Sequence, residues 1–188
     1  MNIIFVHGFS GGRYEYQPLI RYLKRHGINN CHEFVYIKNT GKVSLIETAK
    51  DLQKFIQNKK LKNIVFIGIS QGGIISSFCN EYLLKKPVKK CITICTPFDG
   101  SYSAYFMRRI GAMELRPNNL LIKQLMGKLK RSKTKYYGVW NPLDLMVLPG
   151  WSGKQEFMKK TKMVIAPLHQ LTFWTFTTKR FMLDCITS

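Results

Sequence analysis

The sequence predicts an α/β protein built on a mostly parallel central sheet flanked by helices, and three observations carry that prediction. Short apolar runs alternate with longer stretches of helical periodicity along the chain, the pattern of a parallel sheet covered on both faces. A glycine-bracketed serine, Gly68-Ile69-Ser70-Gln71-Gly72 with Gly73 behind it, joins the apolar run Ile64-Val65-Phe66-Ile67 to a helical stretch from Ile74 to Leu84. Finally, His7, Ser70 and Thr96 each fall just past the carboxyl end of a predicted strand, the edge where such sheets collect ligands.

In order, residues 2–6 read as a buried strand, and the loop His7-Gly8-Phe9-Ser10-Gly11-Gly12 feeds a helix from Tyr16 to Arg25, apolar at Leu19, Ile20 and Leu23. Residues 33–37 form a short strand. Residues 43–58 form a helix with Leu45, Ala49, Leu52 and Ile56 on one face. After the serine turn and its helix comes a strand at Cys91–Cys95. Residues 98–133 hold no strand but include a helix expected to start at Pro117 and run to Leu129. Strands at Tyr136–Trp140 and Met163–Ala166 follow, then an amphipathic, aromatic-rich stretch from Leu168 to Asp184.

A chain of 188 residues is long enough for one domain with a substantial core, expected here to span 1–188, and short for two. An apolar fraction of 45% argues against disorder. No apolar run approaches the roughly 18 residues of a membrane span. No basic opening and cleavage site of a leader is recognisable, so the sequence reads as cytoplasmic, or else as a mature form whose leader has been removed. The five cysteines (Cys31, Cys79, Cys91, Cys95 and Cys185) are scattered and odd in number, and read mostly as buried reduced thiols, with a disulfide involving Cys31 or Cys185 as the alternative. No His, Cys, Asp or Glu cluster shows metal-ligand spacing, and neither metal nor cofactor is expected. The 30 Lys and Arg against 10 Asp and Glu give a formal charge of +20, which implies an anionic partner or a strongly solubilising surface and says nothing about fold.

The serine turn carries chemistry because of its context. Strand, G-x-S-x-G and helix together make a nucleophile elbow, in which a strained turn lifts the serine oxygen clear of the sheet. A serine needs a base to take its proton, and the base needs an acid to hold its tautomer. In this fold class the order is serine, acid, histidine. His7, His26 and His32 precede Ser70, which leaves His169 as the base. For the acid, Asp144 follows a strand within the Asn141-Pro142-Leu143 turn, whereas Asp99 follows the preceding strand and competes; Asp184 comes after the base. The oxyanion hole would take the backbone N–H of Gln71 and of Phe9. His7 itself reads as bracing its loop.

Four segments together resemble the α/β-hydrolase superfamily, with the nearest likeness to small bacterial triacylglycerol lipases and esterases. They are His7-Gly8-Phe9-Ser10-Gly11-Gly12, Gly68-Ile69-Ser70-Gln71-Gly72-Gly73, Asp144-Leu145-Met146-Val147-Leu148-Pro149 and His169-Gln170-Leu171. Thr96-Pro97-Phe98-Asp99-Gly100-Ser101 and Met113-Glu114-Leu115-Arg116-Pro117 are similar to further segments of that group. The resemblance implies Ser70 as nucleophile, Asp144 as acid, His169 as base, and Phe9 with Gln71 as oxyanion donors. Asp99 then becomes a turn residue.

The expected reaction is cleavage of carboxylic esters, of lipid or of short-to-medium acyl chains, through an acyl-enzyme. An acyl-thioesterase, an amidase or a transacylase would use the same residues, and a catalytically silent hydrolase fold could bind a partner through its charge. Phe9, Ile69, Phe98, Tyr102, Tyr105, Phe106 and Trp151 are expected to form an apolar rim suited to a hydrocarbon chain. The chain leaves room for a minimal cap or none, with residues 101–131 as a small lid-like insertion. The basic segment 123–135 could hold the protein on an anionic membrane surface, less so as salt rises. Nucleic acid is not expected, since only charge speaks for it.

Overall fold

The computed structural model describes residues 1–36 and 41–188. Six strands form one sheet: β1 (Asn2–Val6), β2 (Cys31–Phe34), β3 (Ile64–Ile69), β4 (Lys90–Ile94), β5 (Lys135–Trp140) and β6 (Lys160–Met163). Their order is β2-β1-β3-β4-β5-β6, and every pairing is parallel. The chain steps outward from β1 to β2, then returns to lay β3 on the other side of β1. That reversal opens a crevice between the carboxyl ends of β1 and β3. The His7–Gly12 loop leaves one of those ends, and Ser70 leaves the other.

The two faces of the sheet are covered by different helices. Helices α1 (Arg13–Arg25), α6 (His169–Trp174) and α7 (Phe176–Thr187) pack Leu19, Leu23, Phe173, Phe181 and Met182 against Ile3, Phe5, Ile67, Ile92 and Val139. On the other face, α2 (Leu45–Asn58), α3 (Gln71–Phe78) and α5 (Leu120–Leu129) pack Leu45, Leu52, Ile75, Leu125 and Leu129 against Ile4, Phe66, Cys91 and Tyr136. Because both faces of the sheet are buried, β3 and the residues of β1 after Asn2 carry no polar side chain. A short helix, α4 (Ile110–Met113), lies between β4 and α5. Among the described residues no helix is long and apolar enough to cross a membrane.

Several boundaries differ from the sequence reading for identifiable reasons. Helix α1 opens at Arg13, after an extended Gly12, three residues before its first buried apolar side chain at Tyr16. Helix α5 starts at Leu120, not Pro117, because Asn119 caps it by accepting the Leu121 N–H at 2.9 Å. The last strand is Lys160–Met163, an edge strand with mostly exposed side chains, whereas the apolar run Met163–Ala166 lies mainly in the loop that follows. There Val164 and Ala166 are buried without being sheet. The C-terminal stretch is two helices, broken where Thr175 caps α7 by accepting the Thr178 N–H at 3.1 Å. The helix after Ser70 gives way to a π turn at Cys79–Leu83. The expected strand at 33–37 forms as Cys31–Phe34, and residue 37 lies outside the described residues. All five cysteines are free thiols, four buried and Cys31 half-buried.

Candidate active site

Ser70 sits between the end of β3 and the start of α3 with φ 53° and ψ −124°. This is a left-handed conformation costing a residue with a side chain about 1–3 kcal/mol, so the surroundings must hold it. They do so through its own backbone. The Ser70 N–H donates to the Ile94 carbonyl at 2.7 Å, and the Ser70 carbonyl accepts from Gly73 at 3.0 Å. The flanking glycines are required by close approach: a methyl group at Gly72 would overlap the Val6 carbonyl, and one at Gly68 would run into the Gly73 backbone. Gln71 opens α3, where first-turn N–H groups have no partner within the helix and carry partial positive charge.

Asp144 and His169 meet in the interior at the same end of the sheet. Asp144 follows β5 in a turn that Asn141 begins, its Oδ1 accepting the Leu143 N–H at 3.1 Å. Asp144 Oδ1 accepts the N–H groups of Met146 at 2.9 Å and Val147 at 3.0 Å, which aims Oδ2 at His169 Nδ1, 2.6 Å away. Both side chains are buried. With Nδ1–H donated to the carboxylate, Nε2 is the ring's free acceptor. Asn141 Nδ2 also donates to the Ala166 carbonyl at 2.8 Å and to Thr172 Oγ1 at 3.0 Å, tying the Asp144 turn to the loop and helix that deliver His169. The edge of Phe173 packs on the imidazole with ring centres 4.9 Å apart. The competing Asp99 is exposed and accepts from Gln155 Nε2 at 2.6 Å.

The loop after β1 lies against the nucleophile turn: a methyl group built on Gly8 would stand 3.0 Å from Ser70 Cβ. His7 braces this loop, as its position suggests. Its ring stacks on Tyr36 at 4.0 Å, Nδ1 bonds the Gly8 carbonyl at 3.0 Å, and Nε2 accepts the Tyr36 N–H at 3.3 Å. One donor and one acceptor make it a neutral imidazole, and burial pushes its pKa down accordingly. Phe9, the expected second oxyanion donor, is half-buried, and Gln71 is buried.

Two residues near the site escaped the sequence reading. Glu15, in the first turn of α1, is buried, and its Oε2 accepts the Gly8 N–H at 2.7 Å. Desolvation raises its pKa from 4.5 to about 7, against the Gly8 hydrogen bond and the nearby His169, which both lower it. Cys95, directly after β4, has φ 49°, and burial and then the Asp144 charge push its thiol pKa up. Its sulfur, a carboxylate oxygen of Asp144 and a ring nitrogen of His169 all lie within 4.8 Å of one another. Linear spacing does not reveal that convergence. The three groups are buried and the carboxylate already holds the imidazole, an arrangement of a hydrogen-bonded pair backed by a thiol rather than of an open coordination site. A turn signal at Cys95 was hidden, since a cysteine with positive φ leaves no mark in composition.

The apolar rim is only partly the expected one. Ile69 and Phe98 are fully buried and belong to the core. Tyr102, Tyr105, Phe106 and Trp151 are exposed, as are Leu143, Leu145, Met146 and Leu168, in the loops leaving the carboxyl ends of β4, β5 and β6. Within the segment 101–131, Arg116 donates to the carbonyls of Ala104 and Met107 and stacks over Tyr105, tying the 102–107 turn down.

Comparison with known proteins agrees with this architecture. A family model described as the alpha/beta hydrolase fold matches residues 2–177. A Mycoplasma genitalium protein designated an esterase/lipase is 31% identical over 99 residues, which is 49% of this chain and only 35% of that relative. The monoacylglycerol lipase of Paleococcus ferrophilus superposes with a TM-score of 0.74 at 14% identity, covering 97% of this chain and 92% of its own. A mature Bacillus licheniformis lipase gives 0.68 at 16% identity over 96% and 90%. A bromoperoxidase of Bacillus anthracis gives 0.73 at 12% identity over 100% and 92%, so the likeness at this level is one of fold. With six parallel strands in this order, a serine turn after β3 and a family match across nearly its full length, the chain belongs to the α/β-hydrolase fold family.

Proposed function

We propose that the protein is a serine hydrolase that cleaves carboxylic esters, of lipid or of short-to-medium acyl chains, with Ser70 as nucleophile, His169 as base and Asp144 as acid. The observation that carries this reading is the buried Asp144–His169 hydrogen bond of 2.6 Å at the sheet edge where Ser70 is held in strain. In the reaction, Ser70 Oγ attacks the ester carbonyl while its proton passes to His169 Nε2, and Asp144 stabilises the imidazolium. The N–H groups of Gln71 and Phe9 take the oxyanion. Collapse expels the alcohol, protonated by His169, and leaves an acyl-Ser70. Water, deprotonated by the same imidazole, then releases the acid and restores the serine.

The exposed aromatic and aliphatic side chains around this end suit a hydrocarbon acyl chain. Attachment to an anionic lipid surface through 123–135 belongs to the same proposal, with a consequence: Lys135 begins β5, so that segment ends at the edge of the sheet away from Ser70. A surface bound there leaves the mouth facing solvent. The deciding experiment is hydrolysis of p-nitrophenyl esters from acetyl to palmitoyl by wild type and Ser70→Ala, with acyl-coenzyme A thioesters in parallel. Serine-dependent ester turnover supports the reading. Turnover of thioesters alone moves it to an acyl-thioesterase, and no turnover of either moves it to a binding protein.

A further inference from the structure

We propose that Glu15 is a positioning residue for ester cleavage at Ser70, an inference that rests on the reading above: its carboxylate clamps the Gly8 N–H, so that the loop presents the next N–H, that of Phe9, to the oxyanion, and it sets a second negative charge near His169. The clamp is geometric. Glu15 Oε2 lies 2.7 Å from the Gly8 nitrogen, and the place of a Gly8 side chain is bounded by Ser70 Cβ on one side and Glu15 Oε1 on the other. Gly11 passes so close that any side chain there would collide with the same carboxylate, so the loop is wrapped around Glu15 from both ends. Trp174 fixes the backbone beneath it, its Nε1 donating to the Glu15 carbonyl at 3.0 Å.

A buried carboxylate is costly unless a charge or several donors meet it. The groups facing Glu15 supply few. Tyr14 and Tyr16 come from its own helix, Tyr36 from the segment after β2, and His169 from α6. Arg13, two residues away, turns to Glu33 at 3.3 Å. Of these neighbours, His169 is the one that becomes cationic during the reaction. A negative Glu15 therefore interacts more favourably with the imidazolium of the transition state than with the neutral ring of the resting enzyme, which is the condition for accelerating the chemical step. Its burial brings its titration to about pH 7, so the contribution grows through neutrality.

The test compares wild type, Glu15→Gln, Glu15→Ala and Ser70→Ala at pH 5.5 and pH 8.5. Two readouts are used: kcat and KM on p-nitrophenyl butyrate, and the rate at which a fluorophosphonate phosphonylates Ser70, located by mass spectrometry. In the labelling step Ser70 Oγ bonds phosphorus, fluoride leaves and the proton goes to His169, so no knowledge of the natural substrate is needed. Glu15→Gln keeps an acceptor for the Gly8 N–H and loses the charge. It is expected to slow kcat and labelling about ten-fold at pH 8.5, with KM within two-fold, and to match wild type at pH 5.5. Glu15→Ala loses the acceptor as well and is expected to be slow at both pH values; should it not fold, Glu15→Gln alone carries the test. Wild-type rates in Glu15→Gln at both pH values, with Ser70 labelled normally, overturn the role of Glu15 and leave the hydrolase reading standing. Failure of wild type to label at Ser70 removes the hydrolase reading and the role of Glu15 with it.

Discussion

The two ends of the sheet are built to opposite rules. At the carboxyl end, a serine is held at φ 53°, a buried acid touches a buried histidine at 2.6 Å, and another buried acid clamps the neighbouring loop. Around them stand exposed rings and aliphatic chains. At the amino end, the segments leading into the strands carry Lys59, Lys60 and Lys62, then Lys85, Lys86 and Lys89, then Lys130, Arg131, Lys133 and Lys135, then Lys159 and Lys160. All of these are exposed, and none takes part in an ion pair found among the described residues. Lys90 is half-buried among them, its pKa lowered first by burial and then by Lys135 and Lys159. One end depends on distances of tenths of an ångström, whereas the other depends only on summed charge. Substitution should therefore be punished at the first and absorbed at the second.

Five variants break or sharpen that contrast. Ser70→Ala should take ester turnover to background, a loss on the order of 10⁶-fold by the precedent of other serine hydrolases, with the circular dichroism spectrum unchanged. Asp144→Asn should lower kcat by about 10⁴-fold, since an amide cannot hold the imidazole in the required tautomer. The same change at exposed Asp99 should stay within about two-fold, because a lone exposed hydrogen bond contributes little; the reverse ranking would show that the acid is misassigned.

Glu15→Gln tests whether function at this end is maintained against stability. A carboxyl whose folded pKa is raised from 4.5 to about 7 keeps its proton longer in the folded chain than in the unfolded one. Its cost is absent below about pH 4.5, grows as pH rises, and is complete above about pH 7, where it approaches about 3 kcal/mol. Denaturant midpoints should therefore show Glu15→Gln gaining on wild type between pH 5 and pH 8.5. An unchanged difference between the two pH values would contradict the burial argument. The smallest effect is expected at the amino end. Lys89→Glu, Lys133→Glu and Lys135→Glu combined should leave butyrate hydrolysis within two-fold, while sedimentation with phosphatidylserine vesicles, if it occurs in wild type at low salt, should fall. A large loss of turnover would show that the two ends are coupled.

How legible each part was in the sequence follows from how local its cause is. The Ser70 turn could be read because its strain demands small neighbours at fixed offsets, and Gly68 and Gly72 stand in the chain for that reason. The strands that bury both faces, β1, β3 and β4, could be read because their buried residues are almost all apolar, with Thr93 the polar one. The edge strand β6 could not, because Lys160, Thr161 and Lys162 owe their strand state to β5 and not to any pattern of their own. Asp144 and His169 were singled out by chain order and elimination, and their contact at 2.6 Å is what the structure adds. Glu15 was invisible, since its partner is a backbone N–H seven residues upstream and acids in a first helical turn are ordinary. The rim was half-legible: exposure of Leu143, Leu145 and Met146 depends on a loop path that no periodicity encodes.

The order β2-β1-β3-β4-β5-β6 also bears on when this protein could first become active during its own synthesis. The central neighbour of β1, β3, begins only at Ile64, and among the described residues no strand pair in the sheet is a local hairpin. Ser70 is translated well before His169, which seats only when α6 packs on a finished β5 edge. A ribosome-bound fragment can therefore display the serine without the imidazole that would arm it. The proposed nucleophile and its proposed base come together only once β5 and α6 have both been made.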